Sequence, residues 1–208
     1  LLFFYILFLN PLFAQNHHER FDSIDVLHYS FEIHLNDSTN KIEGKTTVAV
    51  KFLKPAENIV FDFIEQDSAN IGMSVKSIIS KNELLNFIHS EDQLLIHLNQ
   101  AVKENEILKF EIVYSGVPAD GLVISKNKYG DRTFFGDNWP DRAKNWLPCV
   151  DHPSDKATLE FLVYAPDHYK VISNGYLMAE TALEKNINLT HWKEDVPLST
   201  KLMVIGVA

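Results

Sequence analysis

Residues 28–35 read His28-Tyr29-Ser30-Phe31-Glu32-Ile33-His34-Leu35, and their alternation decides the fold. Tyr29, Phe31, Ile33 and Leu35 fall on one side of an extended chain. His28, Ser30, Glu32 and His34 fall on the other, the two-residue period of a half-buried strand. Asn36-Asp37-Ser38 supplies a turn. Working outward, Ile42–Leu53 alternates again, with Val48, Val50 and Phe52 set against Lys45, Thr47 and Lys51. Ile59, Phe61 and Phe63 continue the pattern. Shorter runs follow at Ile71–Ile79, Leu84–His89 and Gln93–Leu98. Ile107–Tyr114 places Leu108, Phe110, Ile112 and Tyr114 on the apolar side.

Beyond a loop rich in Gly, Asp and aromatics, Ala157–Tyr164 resumes the alternation. Val171–Ser173, Tyr176–Ala179, Leu189–Trp192 and the terminal run Lys201–Val207 complete the set. No window of a dozen residues carries a helical stripe. Many short strands at this spacing predict an all-β fold, an antiparallel β-sandwich or a curved open sheet.

Composition narrows the function without naming it. The 208 residues are 46% apolar and 12% aromatic, which excludes a disordered tail. The formal net charge of −9 is the wrong sign for a nucleic-acid binder. The single Cys, Cys149, rules out an intrachain disulfide and a Cys-based zinc cluster.

The two ends set expectations about context. Leu1–Leu9 is far shorter than the ~20 residues of a membrane span. This run, followed by Asn10-Pro11 and by Ala14 before Gln15, is the layout of a signal peptide cleaved after Ala14. The expected organisation is a signal peptide at 1–14, its start truncated, a polar linker at 15–23 and one β-domain at 24–208. The protein is expected to be exported, to the periplasm, the cell surface or the medium. Ending on an apolar strand, the chain reads as a piece of a longer protein.

The search for chemistry is mostly negative. No glycines are spaced Gly-x-Gly, and no Ser sits in Gly-x-Ser-x-Gly. The one His-Glu pair, His18-Glu19, has Asp22 where a zincin needs its second His. His28 and His34 are roughly 20 Å apart at strand rise and cannot share an ion. His89 and His97 flank a turn, where surface histidines are the simpler reading. The dense segment is Phe134–Ala157, with two Trp, three Pro, four Asp and the Cys. Its prolines preclude a central strand or long helix, so it is expected as an ordered surface loop facing a substrate or a domain. Asp151 and Asp155 suit turn-forming acceptors around Pro153 better than metal ligands.

In this segment Leu147-Pro148-Cys149-Val150-Asp151-His152-Pro153, followed by Asp155-Lys156-Ala157-Thr158, resembles the Pro-Cys-x-Asp-x-Pro…Lys-Ala-Thr signature of the aminopeptidase N family of zinc metallopeptidases, the gluzincin aminopeptidases. Three further landmarks occur in order. HYSFEIHLNDSTNKIEGKTTVAV (28–50) is similar to the family's opening strands, with Gly44 at its usual glycine. ILKFEIVYSGVPADGL (107–122) is similar to its Tyr-Ser-Gly strand. VPLSTKLMVIGVA (196–208) is similar to its Pro-x-Ser-Thr-Tyr-Leu strand, with Lys201 where Tyr is usual.

The resemblance implies a saddle-like N-terminal β-domain that packs on its own downstream, thermolysin-like catalytic domain and helps bind peptide substrates. It also implies zinc in that later domain. There a His-Glu-x-x-His and a downstream Glu would hold the metal, and a Gly-x-Met-Glu-Asn loop would grip the α-amino group. All of these lie past Ala208, so no catalytic residue and no metal ligand is expected within the present sequence.

What the family's β-domain does contribute is a Gln or Glu beside the substrate's amine, in the loop before the signature. Counting back from Pro148 puts that position at Trp139, with Asp137 and Asn138 adjacent. Trp139 cannot accept a hydrogen bond from an ammonium. Either Asp137 or Asn138 takes the role, or the amine is recognised differently and Trp139 lines the first side-chain pocket. The plainer alternative has Trp139 and Trp146 packing on the neighbouring domain, with Cys149 a small buried apolar residue. Two other functions fit the same residues: a catalytically inactive relative serving as a scaffold, and a free-standing β-sandwich adhesion module.

Overall fold

The computed structural model describes residues 22–208; the proposed leader at 1–14 and most of the linker at 15–23 lie outside the described residues. The first eight strands are β1 (Ile24–His34), β2 (Ile42–Phe52), β3 (Ala56–Asp62), β4 (Gly72–Ser80), β5 (Glu83–Leu84), β6 (Phe87–Ser90), β7 (Gln93–Val102) and β8 (Ile107–Val117). The remainder are β9 (Leu122–Lys126), β10 (Arg132–Gly136), β11 (Ala157–Pro166), β12 (Val171–Ser173), β13 (Tyr176–Ala182), β14 (Ile187–Leu198) and β15 (Ile205–Val207). Two 3-10 helices, Ala143–Asn145 and Thr200–Leu202, interrupt them, and no α-helix occurs among the described residues.

The strands form three sheets. An eight-stranded sheet runs β13-β14-β11-β1-β2-β8-β4-β5, a four-stranded sheet β12-β15-β10-β9, and a three-stranded sheet β3-β7-β6. Pairing is antiparallel except between β1 and β11, which run parallel from His28↔Thr158 to His34↔Tyr164. The all-β, mainly antiparallel architecture is the one the alternation predicts.

Alternation also explains the layers. The inward sides of β1, β2, β8 and β11 bury Tyr29, Phe31, Ile33, Val48, Val50, Phe52, Leu108, Phe110, Ile112, Leu159, Phe161 and Val163. The three-stranded sheet covers part of this face, with Phe61 meeting Phe110 edge-on at 6.3 Å. Over β1 and β11 the cover is the Pro-rich loop, whose Trp146 stacks at 6.0 Å on Phe161, itself stacked at 5.1 Å on Phe31. Each large side chain buried in this way contributes about 1.5–3 kcal/mol.

The loop was expected on the surface. Cys149 is buried, as expected, but Trp146, Leu147 and Val150 are buried with it, so Trp146 packs inside this domain and not on a neighbouring one. Its backbone tolerates burial because neighbouring elements satisfy it. Asp62 and Cys149 exchange both backbone hydrogen bonds, at 2.7 and 3.2 Å, extending the edge of β3. The Val150 amide donates to Tyr29 Oη at 3.0 Å.

Candidate functional site

Asp137, Asn138 and Trp139 follow β10 directly, and the structure turns the middle one inward and the other two outward. Asn138 turns inward and is only 1% exposed. Its Nδ2 donates to the carbonyls of Thr200, at 3.1 Å, and Met203, at 2.6 Å, while its Oδ1 accepts Trp146 Nε1 at 2.9 Å. Every polar atom of the amide is thus engaged inside the domain. The side chain acts as a rivet between this loop and the terminal 3-10 helix.

Asp137 and Trp139 point outward. The Asp137 amide donates to Gly121 O at 2.6 Å, which fixes the chain as it leaves β10. The Asp137 carboxylate pairs through Oδ2 with Arg142 Nη2 at 2.6 Å. Arg142 Nη1 reaches Asp120 Oδ1 at 3.3 Å, and Arg142 Nε donates to Trp139 O at 2.5 Å. One guanidinium therefore clamps two carboxylates and the backbone of the indole-bearing residue. The Asp137 hydrogen bond raises the Arg142 pKa further, so the clamp stays cationic.

Gly121 makes this packing possible. Its φ is +75°, and a Cβ there would lie 2.3 Å from Arg142 O. Trp139 precedes a cis Trp139–Pro140 bond, is 61% exposed, and has Lys201 Nζ 4.6 Å from its ring centroid.

The other sequence candidates serve structure. Asp151 Oδ1 accepts the Thr200 hydroxyl at 2.8 Å and its Oδ2 accepts the Lys144 amide at 3.2 Å. Burial raises its pKa despite those bonds. Asp155 Oδ1 accepts the Val26 amide at 3.3 Å, and burial pushes its carboxyl up to about 7. Both accept backbone amides, from Lys144 and Val26, and neither closes the turn around Pro153 that was expected of them. His89 hydrogen-bonds Phe63 O at 3.0 Å, whereas His97 meets Asn58 Oδ1 at 2.6 Å, so the two histidines have separate partners. Cys149 is fully buried, and burial raises its thiol pKa, the state of an inert core thiol.

Sequence reasoning missed Arg142 and Asp120. Neither carries a spacing signal, because their meeting depends on the turn at Gly121.

Residues 25–202 match the family model described as the peptidase M1 N-terminal domain. Over 71 residues the chain is 32% identical to glutamyl aminopeptidase of Sus scrofa and 31% identical to that of Homo sapiens. Each match covers 34% of this chain, against 8% of the porcine and 7% of the human protein. Among solved structures, an M1 zinc metallopeptidase from Deinococcus radiodurans superposes with a TM-score of 0.77 at 22% identity. A mutant of it bound to a Tyr-Ser-Ala substrate gives 0.77 at 20%. Both cover 89% of this chain, which spans only 42% of theirs. These structures are similar in fold.

Proposed function

From the premise that the chain belongs to the peptidase M1 N-terminal domain family, we propose that it is the β-domain of an exported zinc aminopeptidase, docked on its own catalytic domain. The family match over residues 25–202 carries this reading. The proposal assigns 1–14 to a signal peptide, 15–23 to a linker and 24–208 to the β-domain. Among the described residues no helix is long and apolar enough to cross a membrane.

The loop after β10 is proposed to border the pocket for the substrate's N-terminus. Asp137 suits the substrate ammonium, since Arg142 holds only its Oδ2 and a desolvated ammonium needs a charged acceptor. Trp139 offers an exposed apolar wall for the first side chain. Asn138, its amide already spent on Thr200, Met203 and Trp146, supports the other two from behind. The Deinococcus relative's Tyr-Ser-Ala ligand is consistent with an N-terminal peptide segment as substrate.

Among the described residues no three His, Cys, Asp or Glu side chains are grouped to hold a metal ion. The described residues thus do not fit zinc. In the proposal zinc belongs to the catalytic domain, where it would activate water for attack on the peptide bond.

The test uses the full-length protein on aminoacyl anilides. Chelator-sensitive hydrolysis restored by zinc is expected. Asp137→Asn should lower kcat/KM by about tenfold or more, the scale of a hydrogen bond between charged groups. If no anilide is cleaved with zinc present, the peptidase reading falls and an inactive scaffold takes its place.

A further inference from the structure

The exposed indole of Trp139 is covered on one face by an ammonium. Lys201 Nζ lies 4.6 Å from the ring centroid, within cation–π reach. Lys201 belongs to the 3-10 helix Thr200–Leu202, and that short element is firmly held. The Thr200 and Met203 carbonyls accept Asn138 Nδ2, and the Thr200 hydroxyl donates to Asp151 Oδ1. Asn138 thereby fixes Lys201 relative to the residue that follows it, Trp139.

Two cations of the neighbouring loop are already matched. Arg142 divides its guanidinium between Asp120 and Asp137, and Lys144 Nζ faces Asp141 at 3.6 Å. Lys201 forms no ion pair among the described residues; its ring contact is with Trp139. The loop and the 3-10 helix held against it therefore present three features together: a carboxylate with one oxygen unpaired, an indole, and an ammonium without a counter-charge.

We propose that Lys201 is a specificity-determining residue that favours substrates with glutamate or aspartate at the N-terminus. The proposal rests on the reading of Asp137–Trp139 as the border of the N-terminus pocket. An acidic N-terminal residue carries an α-ammonium, one or two methylenes and a carboxylate, in that order. Asp137 Oδ1 takes the ammonium, the Trp139 ring packs on the methylenes, and Lys201 Nζ pairs with the carboxylate. An ammonium resting on a ring still has N–H groups directed away from it. It can therefore bind a carboxylate without leaving the indole. A basic first side chain meets like charge at this position, and an apolar one gains nothing from it.

The test measures kcat/KM for glutamyl, leucyl and lysyl anilides on the full-length protein, alongside calorimetric titration with free L-glutamate and L-leucine. Wild type, Lys201→Met and Lys201→Arg are compared. In Lys201→Met the glutamyl-to-leucyl ratio should fall by about tenfold, with glutamate affinity reduced in parallel and leucine affinity unchanged. Lys201→Arg, which keeps the charge, should restore most of the preference. Hydrolysis whose glutamyl-to-leucyl ratio is the same in Lys201→Met overturns the proposal and leaves the aminopeptidase reading standing. If no anilide is hydrolysed, that reading fails by itself, and the calorimetry decides on Lys201. Glutamate binding weakened in Lys201→Met then sustains its role, and absent or unchanged glutamate binding removes it.

Discussion

The Val150 amide donates a 3.0 Å hydrogen bond to the phenol oxygen of Tyr29, two residues separated by 121 positions in the chain. Tyr29 also stacks on Phe31 at 5.1 Å. Through this one phenol, β1 acts as the floor on which the Pro-Cys loop is laid, and so helps to position the segment that carries Trp139.

Tyr29→Phe preserves the stack and removes the acceptor. Both residues are buried, so the Val150 amide is left unsatisfied, a cost of about 1–3 kcal/mol. Urea unfolding should show a lower midpoint with little change in slope.

Asn138→Asp is a sharper version of the same experiment. The new carboxylate would face the Thr200 and Met203 carbonyls, which now accept two N–H donors. Burial of an acceptor against acceptors should destabilise by more than about 3 kcal/mol near neutral pH. The loss should shrink as the solution is acidified and the carboxyl protonates, which pH-dependent thermal unfolding would detect.

Asp155 gives the domain a predictable pH dependence of its own. Burial, reinforced by nearby Asp25, pushes its carboxyl up to about 7, whereas in an unfolded chain it ionises near ~3.9. Between those limits the folded state holds a proton that the unfolded state has released. Stability from this group therefore falls as pH rises through the window and is level above it. Asp155→Asn keeps an oxygen for the Val26 amide and removes the titration, so it should be more stable than the parent at about pH 8. Glu160 acts at the other end. Burial works against its charge, but hydrogen bonds from His191 and His28 hold its pKa below the usual range. Its contribution is lost only as pH falls through that lowered pKa, which bounds the window on the acid side.

Gly44 sits opposite Tyr114 across β2 and β8, and a Cβ there would lie 2.2 Å from Tyr114 Cζ. Tyr114 is fully buried, so the ring has nowhere to swing. Gly44→Ala should cost about 1–3 kcal/mol through overpacking, measured as a fall in the unfolding midpoint.

The long alternating strands were legible because each has one buried and one wet face. β1 begins earlier than its predicted run, at Ile24, and β8 ends later, at Val117, while β2 matches its run to within one residue. The hairpin β9–β10 was not anticipated. Phe134 and Phe135 are adjacent, one buried and one exposed, so the apolar pair hides the period. Leu84–His89 was expected as one strand but divides at Leu85-Asn86. The Leu85 amide bonds back to Ile78, while Asn86 O accepts from His97, so the chain changes sheets there. In the terminal run the chain first closes a 3-10 helix, Thr200–Leu202, and only Ile205–Val207 is strand.

At the candidate site, the sequence marked three neighbours without saying which faced inward. Asn138 and Asp137 have similar size and polarity, and their opposite fates follow from Trp146, Thr200 and Arg142. Those partners lie elsewhere in the sequence, and folding alone brings them to the loop.

The parallel pairing of β1 with β11 also bears on how the chain can be made. β1 is central in the eight-stranded sheet, yet its second neighbour arrives only with residues 157–166. During synthesis β1 and β2 can pair early, but one side of β1 then stays open for more than half the length of the chain. Contacts this distant in sequence form slowly, and an open apolar strand edge recruits other chains. Nascent chains released between β8 and β11 should therefore aggregate, and those extending past β14 should not. Ribosome-release truncations followed by sedimentation would locate that transition. Its position would mark the point at which a growing polypeptide first becomes able to exist alone.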